Sequence, residues 1–106
     1  MIDNKVIQFI RLIKKSGNLL EGYNRCEEAL KNNKTQLIII SEDVSENTKR
    51  KFINYCNRYE VQYINRFSKY DLGEIVSKDF VSIIGVTNKS MAENLYKLIN
   101  DQNSIN

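Results

Sequence analysis

The sequence has no histidine, no proline and no tryptophan among its 106 residues. Histidine is the commonest general base and the commonest metal-binding side chain, so its absence excludes the most frequent catalytic and zinc-binding arrangements. Only four glycines are present, and they do not form the closely spaced pattern of a phosphate-binding loop. We therefore predict that the chain is not an enzyme, that it has no catalytic residues, and that it needs neither a metal ion nor a cofactor.

Export and membrane signals are also missing. No apolar run approaches the roughly 20 residues that a membrane-spanning helix needs. The N-terminal segment carries Asp3 and Asn4 where a signal peptide would have basic and then apolar residues. The expected location is the cytoplasm, where cysteines stay reduced, so we interpret Cys26 and Cys56 as buried core residues. A disulfide or a metal-binding pair is the alternative interpretation.

Among the residues that are present, the segment Leu37–Ile40 carries the strongest structural signal. It consists of four consecutive apolar residues, three of them β-branched. A continuous apolar run of this length, bounded by polar residues, is typical of a strand that is covered on both faces. A second such run spans Phe80–Val86, and shorter strands are predicted at Leu19–Leu20 and Val61–Ile64. Helices are required on both sides of the sheet to cover these strands.

Between the predicted strands, apolar residues recur at spacings of three and four, which indicates amphipathic helices. The helices are expected to begin after Asp3, at the turn 21–24, with the segment 43–45, after Ser68, and after Asn88 or Ser90. The alternation of helices and strands predicts an α/β fold, a three-layer α/β/α sandwich with a small mixed sheet of about four strands. We expect a single domain over residues 1–106, with a frayed polar tail at 101–106.

Two acidic residues, Glu42 and Asp43, follow the central strand directly. Adjacent side chains at a strand end diverge, which does not suit a pair of catalytic carboxylates held across a cleft. We interpret them as a solvated strand end and a cap for the third helix. Catalysis by this pair is the alternative.

A binding site is suggested by the start of the second helix, at Gly22. A helix start exposes backbone N–H groups and the positive end of the helix dipole, and a glycine allows another backbone to approach closely. Asn24 offers both a donor and an acceptor for base edges. The plainer interpretation is a turn glycine, a capping asparagine and lysines that confer solubility. The basic residues gather around this helix and in the loops beside the last strand: Lys14, Lys15, Arg25, Lys31, Lys34, Lys69 and Lys78.

Several segments in this order resemble the ribosomal protein L7Ae superfamily, whose members bind kink-turn RNA. The segments are Gly22-x-Asn24, the strand that ends in Ser41-Glu42-Asp43, Ser68-Lys69-x-x-Leu72-Gly73, and the strand Val81–Val86. Within the superfamily, the sequence most resembles the small bacterial YlxQ type, through the fragments Asn47-Thr48-Lys49, Cys56-Asn57-Arg58-Tyr59 and Val86-Thr87. The resemblance covers residues 6–99 and implies an α/β/α sandwich, in agreement with the pattern of helices and strands.

The resemblance also implies a site at the start of the second helix. In the family, a Gly-x-Asn-Glu-x-x-Lys motif enters the kinked internal loop of the RNA and recognises sheared G·A pairs. Gly22 and Asn24 match this motif. Arg25 stands where the family usually has glutamate, and Glu28 stands where it usually has lysine. These two departures are expected to weaken RNA binding and to relax its specificity without abolishing it.

Two further segments correspond to RNA-binding parts of the family. Lys69 matches the basic residue of the Ser-Lys segment. The loop 77–80 occupies the place of the loop that covers the extruded nucleotide, although Ser77 replaces a usual glycine. Lys78 in this loop is expected to contact phosphate. The strand end at Ser41–Asp43 is expected to lie at the same edge of the sheet as Gly22 and Lys78.

The sequence as a whole predicts a monomeric RNA-binding protein that recognises kink-turn-like structured RNA and does not associate with membranes. The identity of the RNA is open, and ribosomal RNA is one candidate. A protein-interaction module of the same fold that has lost specific RNA binding is the alternative, and the departures at Arg25 and Glu28 favour it. The predicted RNA-binding residues are Gly22, Asn24, Arg25, Glu28, Lys69, Ser77 and Lys78.

Overall fold

A computed structural model describes residues 2–103 of the chain, with side chains described for residues 2–101. Helices and strands alternate along the chain. The helices are α1 (Asn4–Lys15), α2 (Tyr23–Lys31), α3 (Glu46–Tyr59), α4 (Lys69–Ile75) and α5 (Lys89–Asn103). The strands are β1 (Leu19–Glu21), β2 (Leu37–Ile40), β3 (Gln62–Asn65) and β4 (Ile83–Val86).

The four strands form one mixed sheet in the order β1-β4-β2-β3. Strands β2 and β3 are parallel, whereas β4 is antiparallel to both of its neighbours, β1 and β2. Ile40 is paired with both Asn65 and Ile83, and Glu21 is paired with the next residue of β4. The carboxyl ends of β1, β2 and β3 therefore lie at the same end of the sheet as the amino end of β4. We call this end, with the loops that extend from it, the site end.

Helices cover both faces of the sheet, as the continuous apolar run in β2 requires. Leu37 and Ile39 belong to a core formed with α1, α4 and α5, and Ile38 and Ile40 belong to a second core formed with α2 and α3. All four β2 side chains are buried. The predicted α/β sandwich with a four-stranded mixed sheet is confirmed, and β2 lies at its centre.

Local sequence signals explain most helix boundaries. The Asp3 side chain accepts a hydrogen bond from the Lys5 amide at the start of α1, and Ser45 accepts one from the Thr48 amide at the start of α3. The Asn88 side chain does the same for Met91 at the start of α5. Helix α1 ends before Gly17, which has a φ of 81°. Glycine adopts this left-handed conformation without steric cost, so it stops the helix.

Two predicted segments differ from the structure. Strand β4 begins at Ile83 and not at Phe80, because the Val81 amide donates to the Lys69 carbonyl over 3.0 Å and holds this segment against α4. Helix α5 runs to Asn103, so the segment predicted to be a frayed tail begins inside a helix. Residues 104–106 of that predicted tail lie outside the described residues.

The two cysteines lie in the core between the sheet and the pair α2 and α3. Cys26 and Cys56 are both buried and free. Burial raises the pKa of each thiol to about 12, so both are protonated near neutral pH. Among the described residues, no group of three or more Cys, Asp or Glu side chains is placed to hold a metal ion. No helix within residues 2–103 is long and apolar enough to cross a membrane.

Candidate nucleic-acid interface

The loops at the site end are tied to one another by short hydrogen bonds. The Gly22 amide donates to the Ile83 carbonyl over 2.8 Å, which holds the start of α2 against the start of β4. The Lys69 amide donates to Asp43 Oδ1 over 3.0 Å, which holds the start of α4 against the end of β2. The structure thus places Gly22, Asp43 and the loop preceding β4 together at the site end, as the sequence predicts.

The start of α2 is left without a capping side chain. Gly22 is the N-cap residue, with φ 101° and ψ 163°, and no side-chain hydrogen bond caps the helix. Only glycine adopts this conformation readily, and a Cβ placed here would have no atom within 4 Å. Asn24 and Arg25 on the first turn are exposed. The first amides of α2 are therefore available to an external acceptor, aided by the positive end of the helix dipole.

A groove of about 360 Å³ opens beside Gly22, between the starts of α2 and α3 and the loop preceding β4. Apolar atoms form most of its wall, with a backbone and a lysine at its rim. This combination suits a flat, partly apolar group such as a nucleobase. The groove is lined by Gly22, Tyr23, Val44, Thr48, Lys78, Phe80, Val81, Ser82 and Ile83.

One exposed aromatic ring, Phe80, lines this groove, and a second, Tyr70, lies beside the same lysine, Lys69. Tyr70 and Phe80 have 60% and 58% of their surface exposed, respectively. The Lys69 ammonium lies 5.4 Å from the centre of the Tyr70 ring and 5.5 Å from that of the Phe80 ring. Exposed aromatic rings stack on unpaired bases, and a neighbouring ammonium attracts phosphate. The predicted site residue Lys69 is thus joined to the groove through Phe80.

Asp43 has a different role from the one predicted, whereas Glu42 is exposed, as expected of a solvated strand end. Asp43 was expected to cap the third helix, but Ser45 caps α3, and Asp43 accepts from the first amide of α4. Partial desolvation of the carboxyl opposes this, yet the hydrogen bond from the Lys69 amide prevails and lowers the pKa of Asp43. The hydrogen bond between residues 43 and 69 could not be predicted from the local sequence. The two residues are far apart in the chain, and the parallel pairing of β2 and β3 brings them together.

Lys78 is not a free cation in this structure. Its ammonium lies 2.8 Å from Glu21 Oε1, and the Lys14 ammonium lies 3.0 Å from Glu21 Oε2. Sequence reasoning missed Glu21. The available signal was a carboxylate directly before Gly22, at the end of a strand whose carboxyl end faces the same loops.

The predicted residues Arg25 and Glu28 lie away from the groove beside Gly22. They are exposed, one turn apart on α2, and they line a separate shallow groove together with Lys34 and Thr87. Thr87 follows the carboxyl end of β4, at the opposite end of the sheet from the site end. The structure therefore places Gly22, Lys69 and Lys78 in or beside the groove at the site end. Arg25 and Glu28 line a different groove, which extends toward the opposite end of the sheet.

Ser77, at the start of the loop preceding β4, has a φ of 64°. A β-carbon makes this left-handed conformation unfavourable, which accounts for the glycine that the family resemblance implies at this position. Ser77→Gly is expected to raise the free energy of unfolding by about 0.5–1 kcal/mol, measured by denaturant titration. Ser90→Gly, within α5, is the matched control and should bring no gain. An equal gain in both variants would contradict the assignment of strain to Ser77.

Comparisons with known proteins agree with this architecture. The model of the ribosomal protein L7Ae/L30e/S12e/Gadd45 family matches residues 4–96. RNA-binding protein YlxQ of Bacillus subtilis is 27% identical over 88 residues, covering 83% of this chain and 88% of that protein. RNA-binding protein YlxQ of Enterococcus faecium is 26% identical over 95 residues, covering 90% of this chain and 91% of that protein.

A solved structure extends the comparison to three dimensions. A protein of unknown function from Bacillus halodurans superposes with a TM-score of 0.88 at 26% sequence identity, covering 92% of this chain and 99% of that chain. The family match spans most of the chain and confirms the resemblance carried by the segments around Gly22, Ser68 and Gly73. The two YlxQ relatives confirm the resemblance to the YlxQ type. The chain belongs to the ribosomal protein L7Ae/L30e/S12e/Gadd45 family.

Proposed function

We propose that this protein is a non-enzymatic RNA-binding protein that recognises a kink-turn-like, irregular RNA with the site end of its sheet. The observation that carries the proposal is the groove beside the uncapped start of α2, with Lys69 and the exposed Phe80 ring at its margin. The names of the two YlxQ relatives support RNA as the partner. The proposal includes a monomeric chain in the cytoplasm, with ribosomal RNA as a candidate partner.

Each part of the site has a distinct role in this proposal. Gly22 lets the RNA backbone approach the amides of α2, and Asn24 forms hydrogen bonds to base edges. The groove receives an unpaired base, with Phe80 stacking on it and Lys69 contacting phosphate. The major groove of a regular A-form helix is too narrow for side chains to enter. Recognition therefore requires an RNA whose bases are opened by an irregular loop.

The departures from the family motif adjust the strength of this binding. Arg25 adds attraction to phosphate but removes an acceptor for a base amino group. Glu28 places a negative charge on the same side of α2, three residues further along the helix. The phosphate contact of the lysine that Glu28 replaces is lost. Each lost phosphate contact makes the decrease of log affinity with log salt shallower by about one. We therefore expect binding that is weaker and less selective than that of a relative with the complete motif.

Protein interaction is the second candidate function, and an exposed apolar groove on α1 and α5 favours it. Leu12 on α1 is 51% exposed, next to the partly buried Phe9 and Leu98, and these residues line a shallow apolar groove. An exposed apolar patch of this kind can be covered by a protein partner. It lies on the α1 and α5 side of the sheet, so a partner there would leave the site end open to RNA.

The experiment that tests the proposal is a titration with a kink-turn RNA and with a plain duplex of equal length, at two salt concentrations. The wild-type protein is expected to prefer the kink-turn RNA. Asn24→Ala should weaken binding to the kink-turn RNA by about 1–3 kcal/mol, because base-edge hydrogen bonds are lost. Its affinity for the duplex, which depends on phosphate contacts alone, should not change.

Asn94→Ala is the matched control, since Asn94 is an exposed asparagine in the middle of α5 on the other face of the sheet. This variant should bind both RNAs like the wild type. Equal affinity of the wild-type protein for kink-turn RNA and duplex would refute kink-turn recognition. Failure to bind either RNA at low salt would favour the protein-interaction candidate.

A further inference from the structure

Glu21, at the end of β1, is the carboxylate that pairs with Lys78 at the site end. Its side chain is 11% exposed and makes two ion pairs, one with the Lys78 ammonium at 2.8 Å and one with the Lys14 ammonium at 3.0 Å. Burial of the Glu21 carboxyl acts to raise its pKa, but the hydrogen bonds from Lys78 and Lys14 outweigh this effect and lower it. Glu21 is thus ionised, and it offsets positive charge directly beside Gly22.

The two lysines depend on Glu21 to different degrees. The Lys14 ammonium also donates to the Val76 carbonyl over 2.7 Å, so it has a second fixed partner. Among the described residues, the Lys78 ammonium contacts one carboxylate, that of Glu21. Lys78 is about half exposed and lines the groove beside Gly22. It can therefore turn from Glu21 toward a ligand in that groove, while Lys14 continues to neutralise Glu21.

We infer that Glu21 is a specificity-determining residue of the RNA site, because a phosphate of the RNA must take its place on Lys78. This inference rests on the proposed function. With Lys78 paired, the empty site attracts a distant polyanion less, which disfavours nonspecific binding to regular duplexes. An RNA that fills the groove brings a phosphate to Lys78 at close range and replaces one charge-assisted hydrogen bond by another. The pairing thus penalises RNAs that do not reach the groove.

The test compares the wild-type protein with Glu21→Gln, Lys78→Gln and the double variant, using kink-turn RNA and duplex RNA over a series of salt concentrations. Glu21→Gln should bind duplex RNA about fivefold more tightly at low salt and kink-turn RNA by a smaller factor, so selectivity falls. Its salt slope for the duplex should become steeper by about one, since Lys78 is free to meet phosphate. In the Lys78→Gln background, the Glu21→Gln change should have a clearly smaller effect on duplex binding, because only the added charge and the release of Lys14 remain.

Glu93→Gln is the matched control, because it makes the same change in net charge. Glu93 is exposed on α5 and lines a pocket with Gln36 and Gln62, at the opposite end of the sheet from Gly22. It should leave the selectivity unchanged. Thermal melts should first establish that every variant is folded. We expect Glu21→Gln to be tolerated, because Lys14 and Lys78 are exposed enough for water to solvate their ammonium groups.

The outcomes separate this inference from the proposed function. Weaker or unchanged duplex binding by Glu21→Gln, or an equal gain with and without Lys78, overturns the role of Glu21. A wild-type protein that binds RNA without preferring the kink-turn overturns kink-turn recognition, yet a Lys78-dependent gain in Glu21→Gln would still support the ion-pair inference. If no variant binds either RNA, both are overturned.

Discussion

Gly73→Ala is expected to lower the free energy of unfolding by about 2–3 kcal/mol and to weaken binding of kink-turn RNA. A Cβ at Gly73 would lie 2.6 Å from the Phe80 Cα, 2.8 Å from the Phe80 amide nitrogen and 2.9 Å from the Lys78 carbonyl oxygen. All three are backbone atoms, so no side-chain rotation can relieve the contact. The loop that carries Lys78 and Phe80 must move away from α4, and these two side chains, which we propose contact RNA, move with it.

The same loop is held to Gly73 by hydrogen bonds. The Lys78 amide donates to the Gly73 carbonyl over 2.8 Å, and the Val76 amide donates to the same oxygen over 3.0 Å. Displacement of the loop therefore costs the Lys78 hydrogen bond as well as the packing, whereas the Val76 bond belongs to the end of α4. Denaturant titration measures the loss of stability, and titration with kink-turn RNA measures the loss of affinity in the same variant.

Gly85→Ala provides the matched control within β4. A Cβ there would lie 3.1 Å from Thr35 Oγ1 and 3.3 Å from Cys26 Sγ, and both are side-chain atoms that can shift by a few tenths of an ångström. Its stability loss should be smaller, and its RNA affinity should not change. If Gly73→Ala keeps wild-type affinity and loses less stability than Gly85→Ala, the loop does not depend on close packing against Gly73.

Most of the fold could be predicted from the sequence because hydrophobic burial leaves a clear pattern. A run of four apolar residues in β2 requires cover on both faces, and the capping residues Asp3, Ser45 and Asn88 mark helix starts locally. The length of β4 could not be predicted in this way. Phe80 extends the apolar run, but the Val81 amide that follows it donates to α4, and the Phe80 ring is exposed.

The site was less accessible to sequence reasoning than the fold. Gly22 and Lys69 carry local or family signals, whereas the ion pair between Glu21 and Lys78 joins residues that are far apart in the chain. Only the antiparallel pairing of β1 with β4 brings them together. The same limit explains Asp43, whose partner on α4 is supplied by the pairing of β2 with β3. The resemblance to the family also did not predict that Lys78 forms an ion pair with Glu21.

The buried Phe52 side chain packs against the first residue of α2, Tyr23. Phe52 on α3 is fully buried, and its ring meets the Tyr23 ring edge-on, with the centroids 5.0 Å apart at 85°. Its other neighbour is Tyr55, at 5.8 Å and 89°. Tyr23 directly follows Gly22, so we expect this aromatic contact to help position the uncapped α2 amides, together with the hydrogen bond from Gly22 to Ile83. Phe52 thus belongs both to the core between the sheet and α3 and to the support of the proposed RNA site.

Phe52→Ala is accordingly expected to lower the free energy of unfolding by about 3–5 kcal/mol, because it removes a buried ring and leaves a cavity. That is a large part of the 5–15 kcal/mol that stabilises a typical domain. Denaturant titration at low temperature measures the change. Phe52→Leu, which keeps much of the apolar volume, should cost about 1–1.5 kcal/mol. Phe52→Leu still loses the edge-on contact with Tyr23, so its affinity for kink-turn RNA should fall although it remains folded. Wild-type affinity in Phe52→Leu would show that the α2 start is held by the sheet alone, through the hydrogen bond from Gly22 to Ile83.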